Sequence, residues 1–179
     1  IGDIEKANII QLSVCKYTAE LKHNKLRIKA LISLGSTYRD LGNTELAIKN
    51  FQEALELARI NNSYNLIGES YRSLAFAYLK RGDIVEADKW IKELINVISR
   101  MSNKRILANC YAILGNYYHH VGYIEKSIEN FHIALRYAKK SNFQERVSTI
   151  LGDLGTLYSK PVLNDLEQAD TYLQKARKI

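Results

Sequence analysis

The chain of 179 residues matches itself at a constant offset, and this periodicity constrains its fold more than any other feature. Leu34, Leu74, Leu114 and Leu154 form one evenly spaced series, and a tyrosine follows each of them four residues later. Self-similarity at a period of about 20–50 residues marks solenoids and other repeat architectures. The sequence therefore predicts similar structural units stacked along the chain.

Within one period, small and apolar residues recur at the spacing of a helical turn. The recurring positions include Gly2, Gly42, Gly82 and Gly122, then Ala7, Ala47, Ala87 and Ser127, then Gln11, Phe51, Ile91 and Phe131. This spacing predicts two amphipathic helices in each unit. The glycines separate the two helices, because glycine suits the left-handed cap at a helix C-terminus. Asp3, Asn43 and Asp83 follow these glycines as predicted N-caps.

The pattern Leu-Gly-x-x-Tyr, Gly, Ala, Phe, Ala-Leu is most complete in residues 31–58 and recurs in register through the chain. It resembles the tetratricopeptide repeat (TPR) family, here in a long form of about 40 residues per repeat instead of the usual number of about 34. WD40 blades, which have a similar period, need β-strands and a signature that this sequence lacks. The resemblance implies an all-α fold, a right-handed superhelical solenoid of antiparallel helix pairs.

The resemblance divides the chain into a single array. Residues 1–27 are expected to form the second helix of a truncated repeat, followed by repeats at 28–67, 68–107 and 108–147. An incomplete fourth repeat occupies 148–179, with two residues inserted in its turn and Asn164 at the place of the glycine. Because a solenoid normally ends in a polar cap, this chain is expected to be a fragment, or to contact another subunit at its ends.

Motifs that would indicate an enzyme do not occur. The sequence contains no phosphate-binding loop, HExxH, GxSxG or paired CxxC. His119 and His120 are adjacent, and adjacent residues of a helix point about 100° apart, which arranges them poorly around one metal ion. Cys15 and Cys110 are expected on helix-packing faces and fit a reducing compartment. The sequence therefore predicts a cytoplasmic protein without catalytic activity, cofactor or metal.

The resemblance also implies where ligands bind, because the first helices of such repeats line a concave groove. At the family's groove positions stand Lys29, Ile32, Ser36, Arg39, Arg72, Phe76, Leu79, Lys80, Asn109, Asn116, His119, His120, Thr156 and Lys160. Apolar residues here, such as Ile32, Phe76 and Leu79, are expected to be exposed and to indicate a binding surface. Asn109 and Asn116 lie two turns apart and can bond a peptide backbone, and the basic residues can pair with carboxylates.

These residues favour a scaffold that binds a peptide or protein segment. The carboxylate clamp of chaperone-binding TPR domains is not present at its expected positions. The groove is similar to that of bacterial peptide-sensing regulators of the Rap, NprR and PlcR kind, and to TPR segments linked to sensors. The resemblance thus implies the ligand-sensing or interaction region of a bacterial regulatory protein. Assembly into homo-oligomers through the repeat ends is the alternative.

A net charge of +7 suggests nucleic acid as a further alternative partner. Much of this charge, however, falls on predicted second helices and turns, at Lys49, Arg59, Lys89, Lys104 and Lys139. Such positions usually form a solvated face, and the basic residues left in the groove alternate with acidic ones. The prediction is therefore a peptide of acidic or mixed charge, with nucleic acid unlikely and no membrane partner.

Overall fold

The computed structural model describes residues 9, 12–13, 16–17, 24–160, 163 and 165–179. Within residues 24–177 it contains eight helices and no strand: α1 (Asn24–Asp40), α2 (Thr44–Ile60), α3 (Tyr64–Arg81), α4 (Ile84–Ile98), α5 (Lys104–His120), α6 (Ile124–Lys140), α7 (Gln144–Tyr158) and α8 (Leu166–Arg177). The prediction of an all-α fold is confirmed. None of these helices combines the length and apolarity that crossing a membrane requires.

The helices belong to two compact units, one of residues 1–101 and one of residues 102–179. In the first unit, α1 packs on α2 and α3 packs on α4, and α3 also contacts both α1 and α2. In the second unit, α5 pairs with α6 and α7 with α8, and α7 contacts both α5 and α6. We call α1, α3, α5 and α7 the first helices and the others the second helices. Short turns make each pair antiparallel.

The first helices begin at Asn24, Tyr64, Lys104 and Gln144, so the even spacing of the sequence repeat is visible in the fold. Each start lies four residues before the corresponding range expected from the sequence. One cause is local capping: Asn103 accepts a hydrogen bond from the backbone N–H of Ile106 at 3.1 Å and so starts α5 one turn early. The additional residues of this long repeat therefore lengthen the first helices.

The predicted turns between paired helices are confirmed where the structure describes them. Gly42, Gly82 and Gly122 have φ values of 82°, 79° and 84°, a left-handed conformation that strains any residue with a Cβ atom. Asn43 accepts a hydrogen bond from Leu46 N at 3.3 Å as the predicted N-cap of α2. Gly2, Asp3 and Asn164, for which similar roles were predicted, lie outside the described residues.

Asp83 is the confirmed N-cap of α4. Its carboxylate accepts from Glu86 N at 3.2 Å and from Arg81 Nη2 at 2.9 Å. The hydrogen bond from Arg81, followed by that from Glu86 N, lowers the pKa of Asp83. This turn is therefore held by a charged cap at neutral pH.

Three of the helix pairs pack through a glycine on the first helix against a large side chain on the second. A Cβ atom at Gly35 would lie 2.5 Å from the ring of Phe51, one at Gly115 would lie 2.9 Å from the ring of Phe131, and one at Gly155 would lie 2.7 Å from Leu173 Cγ. Carbon atoms do not approach this closely without displacing one another. The glycines therefore set the distance between the helices of these pairs.

The pair of α3 and α4 has a different combination at the same repeat positions. Ala75 replaces the glycine and Ile91 replaces the phenylalanine, and both are almost fully buried. A larger residue on the first helix thus accompanies a smaller one on the second. The total volume at this contact is kept, which is the condition that close-packed cores tolerate best.

Ser127 introduces a hydroxyl at a core position that holds alanine in the other pairs, as at Ala47 and Ala87. The residue is fully buried. Its Oγ donates a hydrogen bond to the backbone carbonyl of Gly115 at 2.8 Å. The buried hydroxyl is therefore paired. Its hydrogen bond joins α6 to α5 at Gly115, the glycine that contacts Phe131.

The predicted core positions of the aromatic residues and cysteines are partly confirmed. Tyr71 and Tyr78 are buried, whereas the tyrosines at the other equivalent positions are half-buried. Trp90 is half-buried, and its ring centroid lies 5.9 Å from that of Tyr71. Cys110 is fully buried. Cys15 lies outside the described residues.

Adding a methyl group at Gly115 tests the close contact. We expect Gly115→Ala to lower the free energy of unfolding by about 1–3 kcal/mol relative to Gly152→Ala, measured by urea denaturation. Gly152→Ala is the matched control because nothing lies within 4 Å of its new Cβ atom, so it reports the gain in helix propensity alone. Gly115→Ala with Phe131→Ile recreates the Ala75–Ile91 combination and should recover stability. Additive losses in the double variant would contradict the packing account.

Candidate binding face

In the first unit, six of the predicted site residues lie on one side of α1 and α3 with some solvent exposure. Lys29 and Lys80 are exposed, and the other four are half-buried. We call this set the unit 1 face; it comprises Lys29, Ser36, Arg39, Arg72, Phe76 and Lys80. The face thus mixes four basic groups with one hydroxyl and one phenyl ring.

Ile32 and Leu79 do not provide the exposed apolar surface that the sequence predicted. Each is only 6% exposed, and Ile113, another apolar residue on a first helix, is 4% exposed. The expectation was wrong because neighbouring first helices contact each other directly within a unit, as α1 contacts α3. Apolar residues at these positions are therefore part of the core, and Phe76 is the apolar group that remains half-buried.

Arg39 and Phe76 form the direct contact between α1 and α3 on this face. The Arg39 guanidinium lies 4.7 Å from the centre of the Phe76 ring, within the range of a cation–π interaction. Its Nε and Nη2 atoms both donate to Asp40 Oδ1, at 3.1 and 3.0 Å. The Arg39 side chain is only 10% exposed. Arg39 is therefore held in place, with its charge largely matched by Asp40.

Arg72 lies in the middle of the unit 1 face. Its Nη2 atom donates to Ser73 Oγ at 3.2 Å, and Ser73 in turn donates to the carbonyl of Glu69 at 2.9 Å. Arg72 Nε is buried and has no hydrogen-bond partner among the described residues. Because buried polar atoms are nearly always paired, this N–H group is an unmet donor on the face.

In the second unit, the remaining predicted residues lie on α5, on α7 and directly after α7. Asn109, Asn116, His119 and Lys160 are half-buried, and His120 and Thr156 are exposed. We call these six residues the unit 2 face. Asn109 Oδ1 is buried without a partner among the described residues, so it is an unmet acceptor on this face.

His119 and Lys160 are brought together although they are 41 positions apart. The Lys160 ammonium is within hydrogen-bond distance of His119 Nε2. Burial, then the charge of Lys160 and then that of His120, lowers the pKa of His119 below its usual value. The imidazole is therefore neutral at neutral pH, and its Nε2 accepts the hydrogen bond from Lys160. No residue spacing within one helix signals this contact.

Asp153 adds an acidic group to α7 beside this face. Burial raises the pKa of its carboxyl to about 6, and the positive charge of Arg146 opposes the shift. Arg146 was not among the predicted site residues. A signal was present, because the equivalent positions hold Leu26, Leu66 and Ile106, so that a charge at residue 146 departs from an apolar series.

Metal ligands are not grouped in the described part of the chain. No set of three His, Cys, Asp or Glu residues there is placed to hold a metal ion. The rings of His119 and His120 lie 6.0 Å apart and are tilted by 42°.

A family model for the tetratricopeptide repeat matches residues 26–100 of the sequence. This match lies wholly in the first unit, where the glycine, alanine and phenylalanine pattern is most complete. No curated protein sequence matches the chain.

Solved structures are similar to nearly the whole chain at low sequence identity. BtubC (BKLC) from P. vanneervenii is 18% identical with a TM-score of 0.71, and the match covers 99% of this chain and 73% of BtubC. The apo form of RapI is 14% identical with a TM-score of 0.72, over 98% of this chain and 62% of RapI.

A third structure is a signal transduction ATPase with numerous domains (STAND) that has a tetratricopeptide repeat sensor, from Pyrococcus horikoshii. It is 19% identical with a TM-score of 0.75, over 96% of this chain and 28% of that protein. At these identities the similarities show the fold. The chain spans less than two thirds of RapI and of the STAND protein.

The raised pKa of Asp153 makes stability depend on pH. Because the folded pKa of about 6 exceeds the ordinary value of 3.8, the folded state holds a proton that the unfolded state releases. Stability from this group is therefore lost as pH rises from about 4 to about 6. We expect Asp153→Asn to unfold at higher denaturant concentration than the wild type at pH 7.5, by on the order of 1–2 kcal/mol after allowance for its partial exposure, with no gain at pH 4.

Glu129→Gln, at an exposed position of α6, is the control and should change stability little at either pH. A stabilisation by Asp153→Asn that is equal at the two pH values would contradict the assignment. A loss of stability at pH 7.5 would contradict it as well, because it would mean that the ionised carboxylate is favoured in the folded chain.

Proposed function

We propose that this chain, which a tetratricopeptide repeat model matches over residues 26–100, is a non-enzymatic scaffold that binds an extended peptide or protein segment on the exposed sides of its first helices. The family generally provides surfaces for protein–protein interaction. Fold alone does not supply a function, so the argument depends on the groups that the unit 1 and unit 2 faces present.

The observation that carries the proposal is the pair of unmet polar atoms, Arg72 Nε and Asn109 Oδ1. A buried donor or acceptor without a partner costs about 1–3 kcal/mol. An extended peptide has a C=O and an N–H group at nearly every residue. A side-chain rotation that brings Arg72 to a peptide carbonyl, or Asn109 to a peptide N–H, removes this cost only in the complex. Binding is therefore favoured at these two residues.

The charges of the faces favour a peptide of acidic or mixed composition. Lys29, Lys80 and His120 are exposed, whereas Arg39 is matched by Asp40. Further basic residues are exposed on the second helices, at Lys49, Arg59, Lys89 and Lys139. Lys104, the first residue of α5, is exposed as well. The net charge of +7 is thus distributed widely, which suits a peptide better than a phosphate backbone.

A regulatory role is the finer part of the proposal. The chain is similar in fold to RapI and to the sensor-containing STAND protein, and these similarities support a ligand-sensing or interaction region of a larger bacterial regulatory protein. A cytoplasmic location and assembly through the repeat ends stay predictions from the sequence.

Peptide selection tests the assignment of the faces. Peptides selected from a random library for binding to the chain should bind Arg72→Ala/Asn116→Ala at least about tenfold more weakly than the wild type, the loss expected for one or two hydrogen bonds to charged or amide groups. Isothermal titration calorimetry gives the affinities. Arg72 and Asn116 are half-buried, so circular dichroism must first show that the variant is folded.

Lys49→Ala/Lys139→Ala is the matched control, because both lysines are exposed on second helices. Its affinity for the same peptides should equal that of the wild type. Equal losses in the two double variants, or unchanged affinity in Arg72→Ala/Asn116→Ala, would show that the peptides bind elsewhere.

A further inference from the structure

The contact between Lys160 and His119 joins two first helices of the second unit at their C-terminal ends. His119 is in the last turn of α5, and Lys160 lies two residues beyond the end of α7. A cation near a helix C-terminus ordinarily stabilises the helix dipole. Here the ammonium instead reaches the imidazole of the neighbouring first helix. This interhelical contact holds Lys160 on the unit 2 face.

The protonation states at this contact leave hydrogen-bond donors for a ligand. The neutral His119 accepts from Lys160 through Nε2, so its proton resides on Nδ1. The ammonium has three N–H groups, and the contact with His119 uses one of them. Lys160 therefore keeps donors that a ligand can accept from, together with its full positive charge.

Further basic side chains lie near this contact, and Asp153 of α7 is an acidic group that lies beside the unit 2 face. His120 follows His119, with its ring 6.0 Å away, and Lys126 of α6 lies 5.5 Å from the ring of Tyr118, which precedes His119. Among the residues that the structure describes, no carboxylate lies within ion-pair distance of Lys160, in contrast to Arg39 and Asp40 in the first unit. Lys160 is thus a basic group without an ion-pair partner among the described residues, whereas the acidic Asp153 beside the face interacts with Arg146.

We propose that His119, His120 and Lys160 form a subsite that binds a carboxylate of the peptide ligand, with neutral His119 acting as the acceptor that positions the Lys160 ammonium. This subsite rests on the proposed function and adds to it the chemical class of one ligand group. The carboxylate accepts hydrogen bonds from Lys160, and the exposed His120 can donate a further one. Charge-assisted hydrogen bonds of this kind are about twice as strong as neutral ones.

A bound carboxylate has a local consequence that can be measured. It offsets the positive charge of Lys160, which lowers the pKa of His119 in the unliganded chain. Binding therefore raises the pKa of His119 and moves its imidazole resonances. A neutral molecule of the same shape lacks this effect.

The test is a nuclear magnetic resonance titration with glutarate, and with the neutral glutaramide for comparison, at constant ionic strength. Glutarate should move the imidazole resonances of His119 saturably in the wild type, and glutaramide should not. Lys160→Met should weaken glutarate binding by about tenfold, the effect of losing one strong hydrogen bond. Lys160→Gln keeps a donor toward His119 and removes the charge, and it should weaken binding similarly.

Lys139→Met is the matched control at an exposed position of α6, and its glutarate affinity should equal that of the wild type. The proposal is overturned if glutarate gives no saturable shift, if glutaramide gives an equal one, or if both Lys160 variants bind as the wild type does. This titration uses no selected peptide, so a failure of the subsite is distinguishable from a failure of the proposed function.

Discussion

The close contact between a small residue on each first helix and a large one on its partner is the constraint on which the rest of the structure depends. Gly35 and Gly115 allow the rings of Phe51 and Phe131 to reach the first helix, and both rings are almost fully buried. Dense packing of this kind leaves little freedom in the spacing or rotation of the two helices. The orientation of each first helix, and therefore of its outer face, follows from this contact.

This packing separates core positions from positions on the outer face within a single helical turn. The residue directly after each small residue is Ser36, Phe76, Asn116 or Thr156, and its type differs in every pair. All four are at least partly exposed. The core position is thus restricted to glycine or alanine, whereas the adjacent face position accepts a hydroxyl, a ring or an amide. A repeat of this design can alter its ligand without altering its fold.

The repeat period, the helix pairs and the turns could be predicted from the sequence because local rules govern them. Gly82 and Asp83, for example, need only their own backbone geometry and the N–H of Glu86. The exposure of Ile32 and Leu79 could not be predicted in this way. It depends on how closely neighbouring first helices approach, which is a property of tertiary packing and is not set by the spacing within one helix.

The side-chain contacts on the two faces also depend on tertiary packing and could not be predicted from the sequence. The sequence identified Arg39 and Lys160 as basic residues of a groove, and it could not show that Arg39 stacks on Phe76 or that Lys160 reaches His119. Both contacts join helices that are separated by a complete repeat. Their effects on charge differ, because Asp40 neutralises Arg39 whereas Lys160 lacks such a partner among the described residues. The repeat thus supplies equivalent positions, and the individual contacts decide their chemistry.

The proposed function requires that ligands bind to first helices and leave the second helices free. The most direct test is to map backbone amide chemical shifts of the chain with and without a selected peptide. The account predicts that the largest changes fall on α1, α3, α5 and α7, including the residues next to Arg72 and Asn109. Changes concentrated on α2, α4, α6 and α8, with the first helices unaffected, would contradict it.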